Sequence, residues 1–322
     1  MPLPTSALLT ALVWSVPPGD LQSANRTAVQ APPAATLALA GREQDGRVAT
    51  LAFRLALAGR SRCTAQVPIH GLVLQHLSQF AQADRAGVIA AIPLDRGPGV
   101  SALVPGSPAA VAGIRPGDIL LAIDGVALPA ESGLAAPFSA TRAHDRADAI
   151  DDLLAQVQPL TLTLLRDNRT VAVRMAALLA CPSRVYLARS GQHNAYADGR
   201  HVFLTTGLLS LLHNDDELAF IIAHEMAHNI LGHAVLMRSG AVGKGIGRTL
   251  GKSGAIIRRT ESEADSLGAT IMLDAGLDPV RGAAILQQLG GADLGIALLA
   301  SHEPTGQRLA AIAAVAAAHR HP

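Results

Sequence analysis

Apolar positions recur at mixed helical spacing at Val48, Leu51 and Leu55, then at Leu72, Leu74, Leu77 and Phe80, which predicts two helical segments over 46–83, flanking Cys63 and Pro68. From Gly87 the pattern shortens to β-like runs: GVIAAI (87–92), GVSALV (99–104), ILLAIDG (119–125), LTLTLLRD (160–167) and RTVAVRMAAL (169–178). RVYLARS (184–190) and HVFLTTG (201–207) alternate enough to predict a hairpin. After them the period becomes helical. Asn214, with Glu217 three residues on, is a capping signal, and LAFIIAHEMAHNILGHAVLM (218–237) then continues without Pro as a long, largely buried helix. A second helix is predicted to carry the segment RRTESEADSLGATIMLDAG (258–276), its apolar positions including Ile256, just before that segment, and Leu267, Ile271 and Leu273 within it. Between them GAVGKGIGRTLGKSG (240–254) is too rich in Gly for stable helix and is expected to be a mobile lid.

Composition narrows the classes. The 322 residues, 49% apolar, suffice for about two cored domains. Lys+Arg 26 against Asp+Glu 25 leaves no broad basic field, so no nucleic-acid role is expected. No apolar run approaches the ~20 residues that cross a bilayer, so an integral membrane protein is not expected. Peripheral contact with an acidic segment or anionic lipid could come through Lys244, Arg248 and Lys252. SALLTALVWSV (6–16), broken by Pro17, Pro18 and Gly19, has the length of a signal-peptide apolar region. Residues 1–24 are therefore expected to be an export signal, 25–45 a linker, and the protein extracytoplasmic, periplasmic if bacterial. The two cysteines, Cys63 and Cys181, are too few for a tetrathiolate site but can form one disulfide, which export would permit.

Candidate chemistry lies in His224-Glu225-Met226-Ala227-His228, an HExxH sequence. On a helix, residues i and i+4 differ by about 40° in direction, so both imidazoles can reach one Zn²⁺, while Glu225, about 100° from His224, can face a water. The metzincin third ligand is absent, because Leu231 and Ala234 stand where Gly and His are required. His233 falls one residue short and should point away, serving the helix end or solvent. Downstream, Glu261 and Asp265 lie i and i+4: Glu261 can ligate while Asp265 supports the site, with Glu263, facing away from both, as the rival ligand. No second ligand cluster is visible, so one Zn²⁺ per chain is expected.

Two resemblances follow from these residues. PGSPAAVAGIRPGDILLAIDG (105–125) resembles the PDZ domain, and the likeness extends more loosely over 86–178. It implies binding of peptide termini or extended segments by strand addition, with the carboxylate-receiving loop expected near Arg96–Gly99. HExxH followed by ExxxD, preceded by NAYADGRHVFLTTGLL (194–209) and DDEL (215–218), resembles the gluzincin family of the CaaX prenyl protease and the heat-shock protease HtpX. That resemblance implies His224, His228 and Glu261 as zinc ligands, Glu225 as general base, Asp265 as support, and Asn194 and Ala195 at the start of a strand beside the cleft. SHEPTGQRLAAI (301–312) resembles the family's His-Pro segment and later Arg, with Glu303 where the family has Pro; it makes His302 a candidate transition-state donor or plug.

The expected fold is α+β: a mainly helical gluzincin-type peptidase domain (179–322) with a small hairpin or sheet, a β-rich PDZ-like domain (86–178), and a helical segment (46–85) packing on the peptidase. The expected activity is zinc-dependent hydrolysis of peptide bonds in unfolded or extended polypeptides, in extracytoplasmic quality control. The competing reading is a PDZ peptide-binding or chaperone-like protein with an inert metal site, against which intact Glu225 argues. A PDZ-containing serine protease lacks a Gly-x-Ser-x-Gly nucleophile.

Overall fold

The computed structural model describes residues 42–128, 137–156, 159–182, 184–239, 242, 251–289 and 305–319. The expected signal segment, most of the linker, most of the Gly-rich connection and His302 lie outside them. Among the described residues no helix is long and apolar enough to cross a membrane. The fold is α+β.

Helix α1 (Arg42–Ala58) buries Val48, Leu51 and Leu55, the first predicted stripe. The second stripe is not helical. It divides into β1 (Val67–Ile69), β2 (Leu72–Gln75) and a 3₁₀ turn at Leu77–Gln79. Leu72 and Leu74 face the second core because β2 pairs with a strand nearly thirty residues later, a partner that local periodicity cannot reveal. Conversely, the first predicted strand, GVIAAI, falls mostly in α2 (Arg85–Ala91), where Val88 points into a small separate core.

The next elements are β3 (Gly99–Leu103), α3 (Pro108–Val111), β4 (Ile119–Ile123), β5 (Val126–Ala127), α4 (Ala140–Leu154), β6 (Leu160–Arg166) and β7 (Arg169–Met175). They form one antiparallel sheet in the order β2-β3-β4-β6-β7, with β5 folding back on β4. The turn residues explain its corners. Asp124 and Gly125 both take positive φ, 47° and 80°, as a tight hairpin of this type demands. Asp118, buried at the Gly-Asp step, accepts the Arg115 amide at 2.8 Å and two bonds from Arg166, at 2.7 and 2.6 Å, locking the turn to the opposite strand.

The stem of this unit is β1 paired antiparallel with β8 (Leu178–Ala180), and the Cys63–Cys181 disulfide, Cα–Cα 5.7 Å, closes it. Ala180 and Cys181 are buried in the main core with α1, so the segments before and after the PDZ-like sheet pack as one body.

The remaining strands are β9 (Arg184–Ala188), β10 (Ala195–Ala197) and β11 (His201–Thr205). The predicted hairpin of 184–190 with 201–207 is corrected here: β9 and β11 pair parallel, and the hairpin is β10–β11. Then come α5 (Thr206–Leu209), α6 (Asp215–Ile230), α7 (His233–Arg238), α8 (Gly251–Asp274), α9 (Pro279–Ala283), α10 (Ile285–Leu289) and α11 (Thr305–His319). Asn214 caps α6 by accepting from the Glu217 amide at 3.1 Å. The helix ends sooner than its apolar run, because Gly232 is left-handed (φ 69°) and a new helix starts behind it. Helix α8 begins at Gly251, so the last four residues of the expected lid are helical. Gly268 lets α8 press on α6: a Cβ there would meet the Ala223 carbonyl carbon and the His224 nitrogen at 3.1 Å.

Candidate metal centre

Helix α6 carries His224 and His228 on the face turned to α8, which supplies Glu261. The Nε2 atoms of the two imidazoles lie 3.1 Å apart. Glu261 places one oxygen 3.4 Å from His224 Nε2 and the other 3.6 Å from His228 Nε2. Glu261 Oε2 is buried without a hydrogen-bond partner. Two imidazole nitrogens and a carboxylate converging on one point, with an orphaned acceptor among them, fit a divalent transition metal.

Each imidazole uses its other nitrogen for an outer partner. His224 Nδ1 meets Asp265 Oδ1 at 2.9 Å, and Arg308 on α11 donates to both Asp265 oxygens at 2.7 Å. His228 Nδ1 meets His233 Nδ1 at 2.9 Å, and His233 Nε2 meets Glu263 at 3.1 Å. Such contacts fix ring orientation and leave Nε2 for a metal. The expectation that His233 serves the helix end or solvent is thereby corrected. The left-handed Gly232 turns the chain so that His233 is buried against a candidate ligand. Glu263, the rival ligand, is directed to His233 and lies outside the convergent trio. The sequence signal for both outer partners existed in Gly232, a helix-ending glycine, and in the Arg of SHEPTGQRLAAI.

Glu225 is buried beside this trio, and neither carboxylate oxygen has a hydrogen-bond partner. Burial pushes its carboxyl up to about 8, opposed by charge on His224 and reinforced by Glu261, with the Ala197 backbone close enough to oppose the shift in part. Burial would lower His224, but Asp265 and Glu261 outweigh it and carry it up to about 10 in the metal-free chain. Burial and the neighbouring His224 depress His228 to about 2. Burial works against the Asp265 carboxylate, yet Arg308 and His224 hold it down at about 2.

The β10–β11 hairpin borders the site. Ala195 is buried, Tyr196 is half exposed, and β10 pairs with β11 alone among the described strands, leaving an edge beside Glu225. Asn194 joins the ladder through its backbone, while its side-chain oxygen is buried without a partner. Asn229, the residue after His228, donates to the His201 carbonyl at 3.0 Å and accepts from the Gly199 amide at 2.7 Å, tying the hairpin to the helix.

At the PDZ-like sheet the expected peptide loop is displaced. Gly99 sits between Gln75 and Ile119, so the Arg96–Gly99 entry leads into an interior strand and offers no free edge. The edge strands are β7 and β2, the latter entered through His70 and Gly71; Gly71 has φ 77°, and a Cβ there would lie 2.3 Å from Ser107 Cβ.

Comparison with known proteins agrees with this geometry. Residues 163–250 match peptidase family M48, and residues 99–135 match a PDZ domain. The chain is thus similar to an M48 peptidase over one segment and to a PDZ domain over another. The M48 match includes HExxH but stops short of Glu261 and Asp265, which only the packing of α8 brings to the histidines. The magnetosome formation protease MamE of Paramagnetospirillum magneticum is 43% identical over 70 residues, 21% of this chain, and the match spans only 9% of that protein. The PDZ domain of HtrA3 bound to a phage-derived ligand (FGRWV) matches at 20% identity and a TM-score of 0.26, covering 36% of this chain and 90% of its own.

Proposed function

We propose that this protein is a zinc-dependent endopeptidase acting on extended or unfolded polypeptide, with the PDZ domain binding peptide segments. The observation that supports it most is Glu225: a buried carboxylate without a partner, beside three convergent metal donors, has no structural role to explain it. An inert metal site would not need that group.

His224, His228 and Glu261 would hold the metal. When bound there, zinc supplies Lewis acidity and brings the pKa of water from 15.7 toward ~7. Glu225 accepts the proton of the attacking water and returns it to the leaving amine, a role open to a buried carboxylate with neither oxygen hydrogen-bonded. Asp265 and Arg308 hold the His224 ring in place, as His233 holds that of His228. The β10 edge receives substrate as an added strand, which selects extended chain over folded protein. The edge of β2 would take a peptide terminus or extended segment in the same way. Export and a role in extracytoplasmic quality control complete the proposal, in keeping with the apolar stretch at 6–16 and with a disulfide stem that an oxidising compartment would maintain.

The test is cleavage of casein by the full chain, with and without a chelator, beside Glu225→Gln. Chelation should abolish cleavage and zinc should restore it. Glu225→Gln should keep its metal and lose cleavage by roughly 10²–10⁴-fold. A zinc-loaded variant cutting at the wild-type rate would overturn the mechanism.

A further inference from the structure

His144 and Asp148 stand one turn apart on α4, the long helix of the PDZ-like unit, and His201 opens β11, the strand next to the candidate substrate strand. These three residues offer ligand atoms that all lie within 4.8 Å of one another. His201 Nε2 is 3.0 and 3.1 Å from the two oxygens of Asp148, and His144 Nε2 is 3.9 Å from Asp148 Oδ2. The two imidazoles meet edge to face with centroids 4.7 Å apart.

Two features separate this cluster from a chance meeting of polar side chains. Asp148 Oδ1 is engaged by Arg184 at 3.1 Å and by the Tyr186 hydroxyl at 3.0 Å, which fixes the carboxylate with both oxygens within 3.1 Å of His201 Nε2. Arg184 also meets Asp152 at 2.5 Å and Asp151 at 4.0 Å, so its charge is answered without Asp148. On the other side, Asp198 Oδ2 takes His201 Nδ1 at 2.8 Å, directing Nε2 inward. That outer carboxylate has the place Asp265 has at His224, where the ring centroids of the histidine pair are also 4.7 Å apart.

The geometry points to a second metal site: His144, Asp148 and His201 bind a divalent transition metal of the Zn²⁺ class and clamp α4 to β11. Two imidazoles and one carboxylate are a donor set that zinc accepts and that disfavours Mg²⁺ and Ca²⁺, which prefer all-oxygen ligands. The expectation that the chain holds no second ligand cluster is thus corrected. Its members come from positions far apart in the chain, and only α4 supplies a recognisable i, i+4 pair. Its position gives it a task. The His201 carbonyl accepts from Asn229, next to His228, and β11 carries β10, so the ion ties the PDZ helix to the partner of the strand that borders Glu225. Metal at this site links the placement of the PDZ domain to the substrate edge.

The test counts zinc bound by the full chain in equilibrium dialysis against zinc alone, and follows Co²⁺ substitution by its visible absorption. The wild type should bind two equivalents and His144→Ala one. His144 is only half buried and Ala is a strong helix former, so α4 should persist, as circular dichroism would verify. In a Glu261→Ala background, which removes a ligand of the other site, one Co²⁺ signal should remain and should vanish when His144→Ala is added. Saturation of the wild type at one equivalent, or a stoichiometry indifferent to His144→Ala, would overturn the proposal. Loss of proteolysis alone would not, because the count in the Glu261→Ala chain is independent of the catalytic reading.

Discussion

Arg308 donates to both oxygens of Asp265 across 43 residues of sequence, and Asp265 in turn holds His224 Nδ1. All three are buried, so the last described helix reaches a candidate metal ligand through two side chains. Asp265→Asn breaks the charge pairing while keeping the shape. Metal affinity should fall by roughly 10–100-fold. Stability should fall by about 3–5 kcal/mol, because a buried ion pair loses the charge of one of its members. Chelator competition reads the first and denaturant unfolding of the metal-free chain the second. Unchanged affinity would leave Asp265 a packing residue only.

Glu225 should write a pH signature on the metal-free protein. Its carboxyl is raised from 4.5 to about 8 by burial. Between those values the unfolded chain releases a proton that the folded chain retains, so this group costs stability progressively as pH rises through the interval. Glu225→Gln removes the cost. Chelated wild type and variant should therefore unfold at similar denaturant concentration near pH ~4, and the variant should be the more stable near pH ~8. Parallel pH curves for the two proteins would refute this.

Gly268 lies where the two helices that carry the candidate ligands touch. An exposed helical Gly→Ala would normally stabilise by about 0.5–1 kcal/mol. Here the added methyl would press on Ala223 and the His224 backbone at 3.1 Å, so Gly268→Ala should destabilise by about 1–3 kcal/mol and weaken metal retention. Thermal unfolding with and without zinc gives both numbers. A more stable variant would mean that the helices part at no cost.

The disulfide should carry weight because of the loop it closes. Cys63 and Cys181 are 118 residues apart in sequence. In the chain-entropy account a loop of that length stabilises by on the order of 4–5 kcal/mol, less any strain. Replacing both by Ser should lower stability by an amount approaching this, and non-reduced peptide mapping of the protein from its native source should find the Cys63–Cys181 crosslink. Free thiols at both positions would remove the bridge and, with it, that support for export.

What the sequence determined by itself is what is local. The i, i+4 pair His224 and His228, the carboxylate Glu225 between them, the Asn214 cap and the Asp124-Gly125 turn all follow from spacings within a few residues, where helix and turn geometry leave little choice. The Glu261/Asp265 pair was legible for the same reason. The tertiary structure decided what depends on a distant partner. Leu72 and Leu74 read as a helical stripe until β3 pairs with them, and the parallel register of β9 on β11 is invisible without β10 beyond it. His233 became an outer partner only because a left-handed Gly232 turned it back. Arg308 came within reach of Asp265 by the packing of α11 on α8. The His144, Asp148 and His201 cluster exists only because α4 docks on β11. Periodicity records which face of an element is apolar, but it does not record which element that face will meet.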